Sequence, residues 1–309
     1  MNLSPYFVFL GGWGGLWLGM MRLDKRGDEH KYCHGHALVL VGGSVRGGAG
    51  RLAARGGLRV GAGLVTVGCP SSALVENAAR LDAVMLTPVD SPEDLAGFLG
   101  DRRVNTVCLG PGLGSERARM LVPAVLGARR ATLLDADALT AFAGHPDGLF
   151  RMLHPRCLIT PHRGEFCRVF PDLGAQLALP EFYDKPLVVS QRRQPGEVVA
   201  AAARRCGCTV LLKGVDTWIS SPEGEVRCVS APPDGAAAWL ATAGSGDVLS
   251  GFCTGLMARG MEPLEAAEYG VRLHFECGRL LGPGLIAENL PEAIPAVLRA
   301  MGCGPGAAG

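Results

Sequence analysis

One carboxylate stands in a loop with almost no side chains. In "WLATAGSGDVLSG", residues 239–251, Asp247 follows Gly244, Ser245 and Gly246. The two glycines permit positive φ and a close approach of the backbone to a ligand. Apolar residues at helical spacing follow, which predicts a helix from Asp247 to Arg259 with its unpaired N–H groups and positive dipole end at the loop. Such a turn is a cradle for a phosphate. Asp247 then has two readings. As a helix N-cap it contributes about 1 kcal/mol, a task Ser245 could fill with less charge. As a general base it takes the proton of a hydroxyl nucleophile, which contributes ~10²–10⁴-fold in rate. An anion repels a carboxylate placed beside it, so the carboxylate needs such a task to be there.

Other clusters carry fewer options each. In "LLKGVDT", Lys213 leaves an apolar strand and presents a point charge suited to a phosphate, or is a solvated strand-end lysine. Gly214, Val215, Asp216 and Thr217 then offer backbone contacts to a ribose or base. In "ITPHRGEF", Pro161 and Gly164 set a turn that carries His162 and Glu165, read either as ligand contacts or as a surface histidine and a first-turn acid. "DADAL" supplies Asp135 and Asp137 as caps or as outer-shell magnesium ligands. "LGPGLG" offers backbone alone, with Gly112 able to approach a flat ligand. No G-x-x-x-x-G-K-[ST] loop occurs, and no clean G-x-G-x-x-G follows the first strand.

The elements that must position these groups are short apolar runs alternating with helical patterns. "ALVLVGG", "LVTVGCP", "VNTVCLG", "ATLLDAD", "CLITPH" and "TVLLKG" read as strands, and "TWISSPEGEVRCVS" as a hairpin around Pro222 to Gly224. Helices are expected in "GAGRLAARGGLRVGAG", from Pro263 to Leu281, and near Pro291 to Met301. This alternation indicates an α/β fold: a central, mainly parallel sheet with helices on both faces. Ligands of such sheets bind outside the carboxyl ends of the strands, where "GGSVRGGAG", "LGPGLG", "DADAL", "TPHRGEF" and "KGVDT" all fall, so they are expected to rim one pocket.

The 309 residues suffice for a sizeable core, and a net charge of +1 gives no global attraction to nucleic acid or an anionic membrane. Eleven cysteines without a C-x-x-C pair read as reduced, mostly buried thiols of a cytoplasmic protein. Residues 1–27 are read as an apolar tail, whose apolar run "YFVFLGGWGGLWLGMM" is shorter than the ~20 residues of a spanning helix and rich in glycine, and which lacks a basic signal-peptide start. It is read as packing on the body or on a neighbouring subunit. Residues 28–301 are expected to form one domain, 174–193 a surface excursion, and 302–309 a flexible C-terminus.

Joint order and spacing of these motifs, from His30–Lys31 through "LITPHRGEF" and "VLLKGVDTWI" to "ATAGSGDVLSG", resemble the ADP/ATP-dependent NAD(P)H-hydrate dehydratases of the ribokinase-like superfamily. The resemblance implies a nicotinamide-nucleotide repair lyase. It would dehydrate (6S)-NADH hydrate or NADPH hydrate by phosphorylating the ring hydroxyl with ADP or ATP, with Mg²⁺ and no assigned protein ligand to the metal. By motif, Asp247 would be the base, with Gly244, Ser245 and Gly246 around the transferring phosphoryl group. Lys213 to Thr217 and Gly246 would bind the adenine nucleotide. Ala49, Gly112, His162 and Asp247 would line the hydrated dinucleotide, with Glu165 and Asp135 near phosphate or metal. A homo-oligomer, a tetramer by the same resemblance, is implied. So is a separate epimerase, because the stretch before His30 is too short for the epimerase domain fused in many relatives. A kinase of a small alcohol such as a vitamin precursor is the alternative. Three departures stand out: Tyr32 and Cys33 interrupt the "HK" motif, Ser245 replaces the commoner threonine, and no Asn precedes the glycine loop.

Overall fold

Runs of Val, Leu, Ile and Cys with no polar alternation can be strands only if both faces of their sheet are covered. The computed structural model describes residues 23–177 and 193–303, and it shows that sheet. Its strands are β1 (His36–Leu40), β2 (Leu64–Cys69), β3 (Met85–Pro88), β4 (Val104–Leu109), β5 (Ala131–Leu134), β6 (Cys157–Ile159), β7 (Thr209–Leu212), β8 (Asp216–Ser220) and β9 (Val226–Ser230). They are ordered β3-β2-β1-β4-β5-β6-β7-β8-β9. Neighbours from β3 to β7 pair in parallel, and β8 and β9 close the edge as the antiparallel hairpin expected around Pro222 to Gly224. The expected α/β architecture is therefore the observed one. β3 was not anticipated. It is a short edge strand whose Met85 is exposed, so it lacks the continuous apolar signal of its neighbours.

Successive residues of β1 feed opposite cores, as the period of a strand demands. Ala37 and Val39 join Ala53, Val248, Val271 and Ile294, from the helices Gly47–Arg59, Ser245–Ala258, Pro263–Leu281 and Asn289–Ala300. Leu38 and Leu40 join Leu95, Leu121, Phe166 and Val199, from the helices Pro92–Leu99, Ser115–Gly127, Arg163–Val169 and Pro195–Cys206. On the first face the helices Gly47–Arg59 and Ser245–Ala258 nearly touch backbone to backbone. A Cβ added at Gly251 would lie 2.2 Å from the Ala53 carbonyl oxygen, and one at Gly255 would lie 2.4 Å from that of Gly57. That contact locks the two glycine-rich helix entrances, "GGSVRGGAG" and "TAGSGD", side by side.

The helix expected from Asp247 begins two residues earlier, at Ser245, with Gly244 as its N-cap and no side-chain cap. Neither Asp247 nor Ser245 therefore caps it. Of the tail, residues 1–22 lie outside the described residues, while Leu23 packs against the core. Residues 178–192 of the expected excursion and 304–309 of the C-terminus also lie outside them. All eleven thiols are free and seven of them are buried, including Cys206 and Cys208 with their sulfurs 3.5 Å apart. Among the described residues no helix is long and apolar enough to cross a membrane.

Candidate functional site

β1, β4, β5, β6 and β7 are consecutive neighbours in the sheet, so the five motifs at their carboxyl ends stand in one row. At the usual strand spacing that row spans roughly 19 Å. The row is cross-braced. The Gly114 N–H donates to Asp137 Oδ2 at 2.8 Å, tying "LGPGLG" to "DADAL". The Lys213 N–H donates to the Pro161 carbonyl at 3.0 Å, tying "KGVDT" to "TPHRGEF".

At the centre of the row Asp135 is 1% exposed and both its oxygens are engaged. Oδ1 accepts from Lys213 Nζ at 2.8 Å, and Oδ2 accepts from the hydroxyl of Ser250 at 2.7 Å. Burial works to lower the Lys213 pKa, but the charge of Asp135 and its hydrogen bond outweigh this, with smaller help from Glu165 and Asp247. The ammonium is held charged, above its ordinary value. A Cβ added at Gly246 would lie 3.6 Å from that ammonium, so the glycine turn faces Lys213 directly.

Asp247 is the third residue of its helix and is partly buried. Among the described residues its carboxylate has no hydrogen-bond partner. Burial first, and then the negative charge of Asp135, push its pKa up to about 6, against the pull of Lys213. Gly244 reaches this geometry with φ of +86°, and a Cβ there would lie 2.7 Å from Leu52 Cδ1 and 2.9 Å from Ala287 Cβ. The position accepts only glycine without rearrangement.

Glu165 and His162 form a capping box at the start of the helix Arg163–Val169. Glu165 Oε2 accepts from the His162 N–H at 2.9 Å, and His162 Nδ1 accepts from the Gly164 N–H at 3.0 Å. With Nδ1 accepting, a neutral His162 carries its proton on Nε2, which faces Glu165 Oε1 at 3.3 Å. Half of the His162 side chain remains exposed at the rim. Further along the row, Gly112 has φ of +64°, and a Cβ added to it would lie 3.3 Å from the Ala49 Cβ. A cleft of about 510 Å³ opens beside this pair, lined by Gly43, Arg46, Leu113 and Gly114 among others.

The structure thus brings Gly244, Ser245, Gly246, Asp247, Lys213, Asp135, Glu165 and His162 into one cluster, with Ala49 and Gly112 adjoining along the row. It does not bring the side chains of Val215 and Asp216 there. Val215 is 78% exposed and Asp216 is exposed, so those two offer backbone only. Thr217 is buried and its hydroxyl donates to the Gly214 carbonyl at 2.9 Å, which fixes the turn rather than presenting a free group. Two residues were missed at the sequence level, Ser250 and His274. Ser250 was hidden in an apolar helix. His274 continues the buried stripe of Leu264, Ala267 and Val271, a spacing that puts a lone histidine on the core face.

Among the described residues no group of three His, Cys, Asp or Glu side chains could by itself hold a metal ion. Asp135 and Glu165 have their oxygens committed, which leaves the Asp247 carboxylate as the open acid of the cluster.

Residues 37–294 match the family model described as NAD(P)H-hydrate dehydratase. A bifunctional NAD(P)H-hydrate repair enzyme of Gloeobacter violaceus is 32% identical over 291 residues, covering 91% of this chain and 53% of that protein. The corresponding enzyme of Methanopyrus kandleri is 34% identical over 292 residues, covering 88% and 50%. The chain spans about half the length of the curated relatives it matches. Among solved structures, an ADP/ATP-dependent NAD(P)H-hydrate dehydratase of Bacillus subtilis, co-crystallised with ATP and Mg²⁺, superposes with a TM-score of 0.70 at 25% identity, covering 90% of this chain and 94% of that one. A ribokinase of Arabidopsis thaliana, at 14% identity and a TM-score of 0.56, shares the fold.

Proposed function

The chain belongs to the NAD(P)H-hydrate dehydratase family, and from that premise we propose that it restores NADH and NADPH from their (6S) hydrates at the expense of ADP or ATP. The observation that carries this reading is Asp247: an acid at a helix entrance, excluded from capping, with its pKa lifted to about 6. A base near the operating pH combines a usable ionised fraction with real affinity for a proton.

In this reading the terminal phosphate of the nucleotide rests on the amides of residues 243–247, and each well-aimed donor contributes up to ~10²–10³ in rate. The ring hydroxyl gives its proton to Asp247 while its oxygen forms the bond to phosphorus, and the bond from phosphorus to the leaving nucleotide breaks. The resulting phosphate ester is a far better leaving group than hydroxide. Its departure with loss of a ring proton restores the dihydronicotinamide. Positioning and charge stabilisation are most of what such a transfer needs. Lys213 neutralises phosphate charge, the backbone of Gly214 to Thr217 and Gly246 holds the nucleotide, and Ala49, Gly112 and His162 line the hydrated dinucleotide. Asp135 and Glu165 stand near the phosphates, Asp135 acting there through Lys213. Mg²⁺ would enter with the nucleotide, and the Asp247 carboxylate, without a partner among the described residues, would be the acid free to face it. The ion supplies charge neutralisation of the transferring group. Free thiols suit a reducing compartment such as the cytoplasm. By the same family reading the chain self-associates and is served by an epimerase that interconverts the two hydrate epimers.

The test is purified protein with hydrated NADH, Mg²⁺ and either ADP or ATP, followed by the absorbance of reduced nicotinamide. Recovery with one or both donors is expected. No recovery with either removes the dehydratase reading. A stable phosphorylated product in its place points to a kinase.

A further inference from the structure

His274 lies on the helix Pro263–Leu281, 7% exposed, and takes no part in the site as described above. Its Nε2 is 3.0 Å from the carbonyl oxygen of Ser245 and 2.9 Å from the Ser245 hydroxyl. Either the Ser245 hydroxyl donates to Nε2, or the proton sits on Nε2 and points at the carbonyl, which can only accept; the second arrangement satisfies both short contacts at once. The Ser245 hydroxyl then receives a share of the same N–H as acceptor, and its own proton stays available to a third group. The peptide unit matters more than the side chain. The Ser245 C=O and the Gly246 N–H belong to one planar trans amide and point in opposite directions. A donor that grips the carbonyl from the core side helps hold the Gly246 N–H pointing out of the helix end, in a turn that lies beside Lys213, an added Gly246 Cβ being 3.6 Å from the ammonium. The ring itself is held edge-on against Phe252, with centroids 6.3 Å apart.

We infer that His274 is a positioning residue: as a neutral Nε2–H donor it fixes the Ser245–Gly246 peptide so that the Gly246 amide is aimed at the transferring phosphoryl group. Burial holds the imidazole neutral, with its pKa lowered to about 4, so the ring takes up no second proton across the working pH range. This inference rests on the reading of the glycine turn as the phosphoryl cradle. It adds a residue outside the loop on which the loop's aim depends, and it explains why a histidine is placed on an otherwise apolar helix face.

Two variants separate aiming from packing. His274→Leu keeps the volume and removes the donor, whereas His274→Gln places an amide N–H near the position of Nε2. Expected for His274→Leu is a fall in kcat of about 10–100-fold. The nucleotide KM should stay within roughly threefold, because an interaction made mainly in the transition state moves kcat rather than KM. His274→Gln should recover most of the lost kcat. Thermal unfolding of both variants is followed in parallel. A folded His274→Leu protein at wild-type kcat, or a folded His274→Gln protein as slow as His274→Leu, overturns the inference. Nitrogen NMR of the wild-type imidazole decides the hydrogen bond without any turnover. An Nε2–H tautomer that persists to pH 5 supports it, and an Nδ1–H tautomer overturns it. Wild-type protein inactive with both donors would count against the proposed function, while the tautomer would still decide the bond.

Discussion

Two helix entrances on the same edge of the sheet carry an acid at the same position and use it differently. Glu165 and Asp247 are each the third residue of their helix. Glu165 reaches back to the N–H of its cap residue and is consumed by structure. Asp247 is not. Side-chain length is no explanation, because Asp94, also third in its helix, reaches back to the Ser91 N–H at 3.0 Å. The difference is the backbone of the cap. His162 and Ser91 are extended, with φ of −75° and −136°, and turn their N–H toward the first helical turn. Gly244 is left-handed, with φ of +86°, which rotates that donor away. The glycine therefore does more than let a ligand approach. It deprives the acid of the partner that would otherwise hold it, and so leaves a charge free to accept a proton.

The largest expected effect breaks the comparison at its catalytic end. Asp247→Asn should bind nucleotide but lose turnover by at least ~10²-fold, measured as kcat for hydrated NADH. A rate near wild type would make Asp247 no more a base than Glu165. Next comes pH. A base must be ionised to act, so kcat/KM should rise about tenfold per pH unit below about 6 and level off above it. The terminal phosphate of the nucleotide titrates in the same range, so the carboxylate itself is followed by carbon NMR without nucleotide.

A smaller effect is one of stability. The folded pKa of Asp247 is raised to about 6, above the ~3.9 of an unfolded aspartate. The folded protein therefore binds the proton more tightly than the unfolded chain. The stability this contributes is fully present below about pH 4 and is lost as pH rises through about 6. At pH 7 the wild type carries a charge only partly compensated by Lys213, which Asp247→Asn lacks. The variant should be more stable at pH 7 by on the order of 1 kcal/mol, after discounting for partial exposure, and no more stable at pH 4. Thermal unfolding at the two pH values checks this. A variant less stable at pH 7 would mean that the carboxylate has a partner after all.

The strands, their order of use and the row of polar loops were legible because a sheet buried on both faces imposes continuous apolar runs, and those runs end where polarity begins. "ALVLVGG" and "TVLLKG" can hardly be read otherwise. Edge strand β3 escaped because Met85 and its neighbours need no such run. Within the site, the residue types and their loops were readable, but their division of labour was not. Whether Asp247 caps or stays free depends on one φ angle, and glycine in the sequence permits every φ. That Asp135 serves Lys213 depends on strand ends 78 residues apart coming to lie two places apart in the sheet, and that it serves Ser250 depends on a helix 115 residues away packing on those strands. His274 escaped because its helical spacing places it on the core face and its partner is a backbone carbonyl, which no sequence pattern marks.

The smallest effect sharpens the comparison at its structural end, where His162 has two claims on it. Its Nδ1 caps the helix Arg163–Val169, and its half-exposed ring stands on the rim expected to line the hydrated dinucleotide. Asparagine caps helices as well as any residue and has no ring, so His162→Asn removes one role and keeps the other. If the ring touches substrate, the variant should retain its unfolding temperature while KM for hydrated NADH rises a few-fold, roughly 1 kcal/mol of lost uniform binding, with kcat unchanged. His162→Ala should show the same change in KM and in addition lose about 1 kcal/mol of stability, since the Gly164 amide and the Glu165 carboxylate lose the residue that organises them. Equal KM values in wild type and His162→Asn would reduce His162 to a cap. The "TPHRGEF" turn would then serve as scaffold beside the reactive loop, and the contrast between the two entrances would be complete.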